Sequence, residues 1–192
     1  MMDKKIKRRM QIGEQIKSTD EEERQRITGY AAVYNEMTTL YHIGDWEYRE
    51  IIEPGAFNTA DMTNVVLNYN HGKAGYILAR TSNDTLRLSI DDRGLKIDAD
   101  IINTTDGCDV YKLIQRGDIN KMSYAFTSDK ESIEWDERAK VCTRRIQSIE
   151  KVYDVSVVVN PAYEGTSVST RDAGVDEFEQ MLRKRAVLTT YL

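Results

Sequence analysis

The chain has 192 residues, of which 40% are hydrophobic and 31% charged, and its formal net charge at pH 7 is −5. A chain of this length can bury a core without disulfides or metals, and its composition excludes collagen, low-complexity disorder and a disulfide scaffold. The net charge is negative, whereas nucleic-acid binders carry clustered basic residues. Because there are only two histidines and two cysteines, a metal site built from several such ligands is excluded as well.

Neither cysteine belongs to a C-x-x-C pair, and two cysteines do not make a disulfide framework. No apolar run approaches the roughly 20 residues of a membrane span, and the basic N-terminus lacks the apolar stretch of a signal peptide. The sequence therefore predicts a soluble protein of a reducing cytoplasm that uses neither a membrane nor nucleic acid as a partner.

Charge divides the chain into three parts. Residues 1–26 carry a net charge of +2, residues 27–170 carry −7, and residues 171–192 carry zero. The first part includes EQIKSTDEEERQR, which offers almost nothing to bury and is typical of a solvated, flexible arm. The last part predicts an amphipathic helix over 175–188, with Phe178, Met181, Leu182 and Val187 broadly on one side. We therefore expect a central domain at 27–170 between a charged arm at 1–26 and a tail at 171–192.

The pattern of the central part is typical of a sheet protein. Apolar residues alternate with polar ones over Leu86–Ile90 and again over Leu95–Ile101, which is the period of half-buried strands. The polar turns at 82–84 and 91–94 have the residue types of antiparallel hairpins. The predicted strands of this half are 27–35, 49–57, 64–71, 75–80, 85–90 and 95–101.

One internal helix interrupts the strands. Thr104 offers an N-cap and Gly117 lies where a C-cap belongs. Four further strands follow, at 121–128, 132–137, 140–149 and 153–160. Many short strands with few helices predict a mainly β protein of the α+β class, arranged as a compact, partly closed barrel or sandwich.

The strand that follows the helix carries a candidate nucleophile. Strand alternation places Met122, Tyr124 and Phe126 on one face and Ser123 and Ala125 on the other. A small hydroxyl residue between large apolar ones suits a positioned nucleophile, and it equally suits an ordinary small core residue.

Two other residues complete the set that serine hydrolysis requires. His71 follows an apolar strand, and Asp154 shares a strand face with Ser156. A hydroxyl nucleophile needs an imidazole to take its proton and a third group to orient that imidazole. Spacing alone leaves open whether the three residues meet, and a histidine in this position is also compatible with a purely structural role.

Six short motifs follow one another along the chain: GYAAVY at 29–34, IEPGAF at 52–57, Asn70-His71, DRGL at 92–95, MSYAF at 122–126 and DVSVVVNPA at 154–162. Each motif alone is short, but six in this order and spacing are specific. Together they resemble the prohead, or capsid maturation, proteases of tailed bacteriophages, and the similarity covers about residues 27–170.

The resemblance implies a serine endopeptidase whose core is a partly closed antiparallel β-barrel of the herpesvirus assembly protease type, with peripheral helices. The family pattern matches His71 as the base and Ser123 as the nucleophile. Herpesvirus relatives use a second histidine as the third member, whereas the corresponding strand here offers Asp154, where phage relatives often have Glu. No cofactor and no metal are implied.

The resemblance also implies where the protein acts and which proteins are its substrates. Family members act in the bacterial cytoplasm inside the assembling procapsid, where the substrates are the major capsid protein and its scaffold segment. They finally digest themselves, and self-association is among the expectations. The charged arm and the helical tail would then serve targeting and self-cleavage.

Two other functions stay open at this stage. One is a catalytically inactive capsid-assembly or scaffolding protein with the same fold, and the other is an unrelated β-barrel binding module in which Ser123 and His71 are core residues. His42 lies outside the matched catalytic positions. Arg144 and Arg145 suit a solvated strand edge better than an oxyanion site, and the two cysteines are expected to be inert.

Overall fold

The computed structural model describes residues 7–11, 17–21, 24–72, 77–159 and 173–190. These residues form two sheets and two α-helices. The strands are β1 (Lys7–Gln11), β2 (Lys17–Glu21), β3 (Arg24–Val33), β4 (Thr38–Ile43), β5 (Trp46–Ile52), β6 (Val66–Tyr69), β7 (Ile77–Arg80), β8 (Leu86–Ile90), β9 (Gly94–Asp100), β10 (Lys121–Asp136) and β11 (Val141–Val158), and the helices are α1 (Thr105–Arg116) and α2 (Ala173–Thr190).

The larger sheet is organised around a ribbon of two long antiparallel strands, β10 and β11. One edge of β11 pairs with β10, while its other edge pairs in parallel with β5 over 141–146 and with β6 over 154–157. The strand β1 pairs with the far edge of β10, and β7 pairs with β6. The ribbon therefore has two ends with different neighbours, which we call the β6 end and the β5 end.

The smaller sheet has the order β2-β3-β9-β8. The strands β8 and β9 form the predicted hairpin, in which Asp91 N–H donates to Gly94 O at 3.1 Å. A Cβ at Gly94 would lie 2.1 Å from the Ala32 carbonyl oxygen, so this close approach requires glycine. The main core includes apolar residues of both sheets and of α1, with Tyr124, Phe126, Leu95 and Ile97 among its fully buried members.

The helix α1 confirms its sequence signals. The Thr104 side chain accepts a hydrogen bond from the Gly107 N–H at the N-terminus, and Gly117 ends the helix in the left-handed conformation. Its residues Val110, Tyr111 and Ile114 are buried in the main core. Within the described ranges, neither helix is long and apolar enough to span a membrane.

A second core lies at the β5 end of the ribbon, where α2 docks. Phe178 of α2 is fully buried against Tyr48, with ring centroids 4.6 Å apart, and against Trp135 at 6.1 Å. The Arg185 guanidinium lies 4.8 Å from the Trp135 ring and pairs with Glu137. Met181 and Leu182 pack on the same cluster as predicted, whereas the Val187 side chain lies outside the described residues.

The mainly β, α+β class is confirmed, but two details of the predicted fold are not. The sheets are not closed into a barrel, so the barrel remains without support. The larger sheet is also mixed rather than antiparallel, because β5 and β6 both run parallel to β11. Periodicity reports which faces are buried and does not report strand direction, so the sequence did not distinguish these arrangements.

Three of the predicted local boundaries were wrong. The predicted pairs of strands at 121–137 and 140–160 are each one continuous strand. Several β-bulges around Ser128 keep the residues between the predicted strands within the ladder. The turn at 82–84 does not join a hairpin. Its flanking strands, β7 and β8, belong to different sheets, so the turn connects the two sheets.

Strand pairing also begins earlier in the chain than the expected start of the domain. Within residues 1–26, β1 pairs with β10 and β2 pairs with β3. The Arg26 guanidinium binds Asp98 of β9, with Nε and Oδ1 2.7 Å apart. The domain limits at 26 and 170 stay predictions, and the latter falls outside the described residues.

Candidate active site

Three side chains meet at the β6 end of the ribbon. The Ser123 Oγ lies 2.6 Å from the His71 Nε2, and the Asp154 Oδ1 lies 2.8 Å from the His71 Nδ1. The two ring nitrogens thus face a hydroxyl on one side and a carboxylate on the other. The three residues predicted from the sequence are brought into one hydrogen-bonded line, although 83 positions separate the first from the last.

Strand register explains how two of them come together. Ser123 of β10 pairs with Ser156 of β11, and Ala125 pairs with Asp154. Paired residues point to the same face of a sheet, as do residues two apart along a strand. Ser123, Asp154 and Ser156 therefore share one face, while Tyr124 and Val155 point to the main core on the other.

His71 reaches this face from a tight turn that follows β6. Because β6 pairs in parallel with β11, with Tyr69 opposite Val157, the chain leaves β6 beside the residues that follow Ser156. Asn70, His71 and Gly72 all have positive φ, at 47°, 55° and 72°. This left-handed conformation costs any residue other than glycine free energy, although Asn and His adopt it more often than most residues. The residue that carries the imidazole is therefore held in an unfavourable backbone conformation, a kind of strain that concentrates in functional sites.

Ser156 is a fourth residue of the site. The strand alternation in the sequence predicts that it shares a face with Asp154 but indicates no role for it. Its Oγ is fully buried, donates to the Asp154 Oδ1 at 3.0 Å, and accepts from the His71 backbone N–H at 3.2 Å. The same oxygen lies 3.3 Å from the His71 Nδ1. The hydroxyl thus uses its one donor on Asp154 and one of its two acceptor positions on the His71 backbone N–H. Ser156 thereby holds both the carboxylate and the strained turn.

The contacts determine the direction of each hydrogen bond. An ionised carboxylate only accepts, so the His71 Nδ1 must donate to Asp154. In a neutral imidazole the Nε2 is then the acceptor, and it receives the Ser123 hydroxyl proton. This is the arrangement in which a serine can lose its proton to the ring as it attacks a carbonyl carbon.

Burial supports the same arrangement. Ser123 is 1% exposed, and the side chains of His71 and Asp154 are 16% and 12% exposed. A buried carboxylate without partners is costly, and Asp154 has two of them. Hydrogen bonds in such a desolvated site are electrostatically stronger than in water.

The other histidine and the two cysteines lie elsewhere. His42 is exposed on β4, opposite Glu47 of β5. The Cys108 Sγ contacts Gln25 and Asn103, whereas Cys142 belongs to the aromatic cluster at the β5 end. Burial raises the pKa of the Cys142 thiol to about 12, which disfavours its reactive thiolate.

The expectation of a solvated edge was wrong for Arg144. It is 3% exposed and forms ion pairs with Glu50, at 3.3 Å, and with Glu131. Burial lowers the pKa of its guanidinium to about 10. Arg145, which is about one third exposed, pairs with Glu53 and Glu134. The register places both arginines opposite residues 132 and 133, nine or more positions along β10 from Ser123, so they form structural ion pairs away from the triad.

Comparison with known proteins identifies the family to which the chain is similar. The model of the caudovirus prohead serine proteases matches residues 14–181, which is most of the chain and includes Ser123, His71 and Asp154. No curated protein and no solved structure matches the chain. The match confirms the resemblance carried by the six sequence motifs, and we conclude that this chain belongs to the caudovirus prohead serine protease family.

Proposed function

We propose that the chain is a serine endopeptidase of capsid maturation in which Ser123 is the nucleophile, His71 the base and Asp154 the residue that orients the base. The observation that carries the proposal is the line of two short contacts, 2.6 Å from Ser123 Oγ to His71 Nε2 and 2.8 Å from His71 Nδ1 to Asp154 Oδ1. Such contacts are within the reach that proton transfer requires.

In the first half of the reaction, the Ser123 Oγ attacks the carbonyl carbon of the scissile peptide bond while His71 takes the hydroxyl proton. The imidazolium that forms is stabilised by Asp154, which stays ionised. His71 then gives its proton to the leaving amine, the C–N bond breaks, and an acyl-enzyme remains on Ser123.

In the second half, His71 takes a proton from water, and the resulting hydroxide attacks the acyl carbon. The ester bond to Ser123 breaks, the serine recovers its proton from His71, and the new carboxyl terminus leaves. Ser156 does not exchange protons in this scheme. It keeps Asp154 and the His71 turn in the geometry that both halves use.

The family suggests the substrates and the place of action. We propose that the enzyme cleaves the capsid protein and its scaffold segment inside the procapsid of an infected bacterium, and finally cleaves itself. Residues 27–170 would be the protease unit, with cleavage toward the ends releasing 1–26 and 171–192. Intact-mass measurement of wild-type protein beside Ser123→Ala after long incubation tests autoprocessing, and masses that differ only by the oxygen atom lost in the substitution would contradict it.

Coexpression with the cognate coat–scaffold precursor tests the catalytic assignment. We expect Ser123→Ala and His71→Ala to reduce cleavage by roughly 10⁴-fold or more, since the members of a triad act as a unit. The chain supplies matched controls, because His42→Ala removes the other histidine and Ser132→Ala removes another serine of β10. Both controls should cleave like wild type.

Three outcomes would count against the proposal. Cleavage that survives Ser123→Ala or His71→Ala would overturn the assignment of the site. Loss of cleavage in the His42→Ala control would show that the effect is not specific to His71. A folded wild-type protein that leaves the precursor intact would favour the inactive assembly factor.

A further inference from the structure

The N-terminal strand lies directly against the strand that carries Ser123. The strand β1 pairs antiparallel with β10 over five residues, and the register places Met10 opposite Ser123 and Gln11 opposite Met122. Paired Cα atoms in antiparallel strands lie about 5 Å apart. The chain's own backbone therefore runs past the candidate nucleophile.

This edge is also where the nucleophile strand can accept another strand. The opposite edge of β10 is paired with β11 throughout the segment 121–127. Within the described part of the larger sheet, β1 is the last strand on its side of β10. An extended peptide that adds main-chain hydrogen bonds to the Ser123 segment must therefore take the position that β1 holds.

We propose that an extended segment of the substrate protein pairs with β10 in place of β1. In the free protein β1 occupies this edge beside Ser123, so that the N-terminal strand competes with the substrate for it. The inference rests on the proposed function, because it identifies where the substrate of that same site binds. Main-chain pairing would supply affinity, as in other cases of strand addition.

The connection of β1 suits a strand that leaves and returns. Only five residues separate β1 from β2, and β2 pairs with β3 in the smaller sheet. Because so short a tether holds it, the displaced strand would stay there at a high effective concentration, of roughly millimolar order. Substrate must then outcompete a local strand, which lowers activity toward weakly pairing peptides more than toward strongly pairing ones.

Proline substitution in the full-length protein tests the competition. Adjacent residues of a strand direct their N–H groups to opposite sides, so one of Arg9 and Met10 donates toward β10 and the other points away. Proline removes this donor, and edge strands tolerate it only at the outward position. We therefore compare Arg9→Pro and Met10→Pro, with Arg9→Ala and Met10→Ala as controls that keep the N–H.

We expect one proline variant to raise kcat/KM for the coat precursor about fivefold through a lower KM, since one ladder hydrogen bond is worth about that factor. The outward-facing proline and both alanine variants should stay within about twofold of wild type. Unchanged or reduced kcat/KM in both proline variants would overturn the proposal.

A binding measurement separates this inference from the catalytic one. In a Ser123→Ala background, a fluorescent peptide of residues 4–13, KKIKRRMQIG, is titrated against the effective proline variant and its alanine control. We expect the peptide to bind the proline variant at least about fivefold more tightly, and a scrambled peptide of the same composition to show no such preference. Equal affinity for the two proteins would overturn strand exchange whatever the activity, whereas cleavage independent of Ser123 would overturn only the proposed function.

Discussion

The two ends of the β10–β11 ribbon use burial for different purposes. At the β6 end, one face of the ribbon holds Ser123, Asp154 and Ser156, which are buried and hydrogen-bonded to one another or to His71. At the β5 end, the same two strands support a cluster of aromatic rings covered by α2. One pair of strands thus carries a buried polar network and a buried apolar contact.

The β6 end contributes a fixed arrangement of polar groups, whereas the β5 end contributes free energy of folding. A polar network in a desolvated site specifies geometry, because each group depends on its partners. An apolar cluster contributes free energy of folding in proportion to the area it removes from water. We therefore expect substitutions at the β6 end to change activity more than stability, and those at the β5 end to do the reverse.

The largest expected effect is that of Asp154→Asn. The amide keeps the shape of the carboxylate but neither stabilises the imidazolium nor holds the productive tautomer, so kcat should fall about 10⁴-fold. Steady-state cleavage of a coat-derived peptide measures this, with Asp129→Asn on the exposed part of β10 as the control. A loss under tenfold would mean that Asp154 does not orient His71.

At the other end, Phe178→Ala should lower the free energy of unfolding by about 3–5 kcal/mol, the usual cost of removing a buried aromatic side chain. Urea unfolding measures this, with Met37→Ala at an exposed position as the control. Below the unfolding transition, kcat/KM should stay within about twofold of wild type. A large loss of activity in folded protein would show that the two ends are coupled.

Ser156→Ala tests how far the activity of the β6 end depends on a residue that only positions the triad. It removes the hydrogen bonds that hold Asp154 and the His71 turn, and bonds to charged groups are worth about 1.5–3 kcal/mol. We expect kcat to fall roughly 10–100-fold with little change in KM, whereas Ser132→Ala should have no effect. Wild-type kcat in Ser156→Ala would show that the turn keeps its geometry without this hydroxyl.

The smallest effect is expected for an ion pair of the smaller sheet that involves no residue of the triad or of the aromatic cluster. Hydrogen bonds from Arg26 and Arg87 hold the pKa of the Asp98 carboxyl well below its ordinary value of 3.8. A depressed folded pKa stabilises the protein above the unfolded value, and this stability is lost as the pH falls below about 3.8.

Asp98→Asn should therefore flatten the loss of stability between about pH 4 and pH 2 while changing the free energy of unfolding at pH 7 by about 1 kcal/mol or less. Chemical unfolding at several pH values measures the slope. Activity at neutral pH should not change, and an unaltered acid slope would mean that other carboxylates dominate it.

Local sequence patterns predicted much of the secondary structure and of the strand faces, because these features depend on residues that are near neighbours in the chain. The caps of α1, the β8–β9 hairpin and the faces of Ser123, Asp154 and Ser156 follow from residue type and from a period of two. The motifs likewise identified the family and nominated the three residues of the candidate site.

Long-range pairing decided the rest. The mixed sheet, the continuity of β10 and β11, the burial of Arg144 and the docking of α2 depend on segments far apart in sequence, and local composition does not report their partners. The amino-acid sequence alone indicates which side chains are available for serine chemistry. That His71 lies between Ser123 and Asp154 follows from the tertiary fold, because the parallel pairing of β6 with β11 brings the His71 turn to the face that Ser123 and Asp154 share.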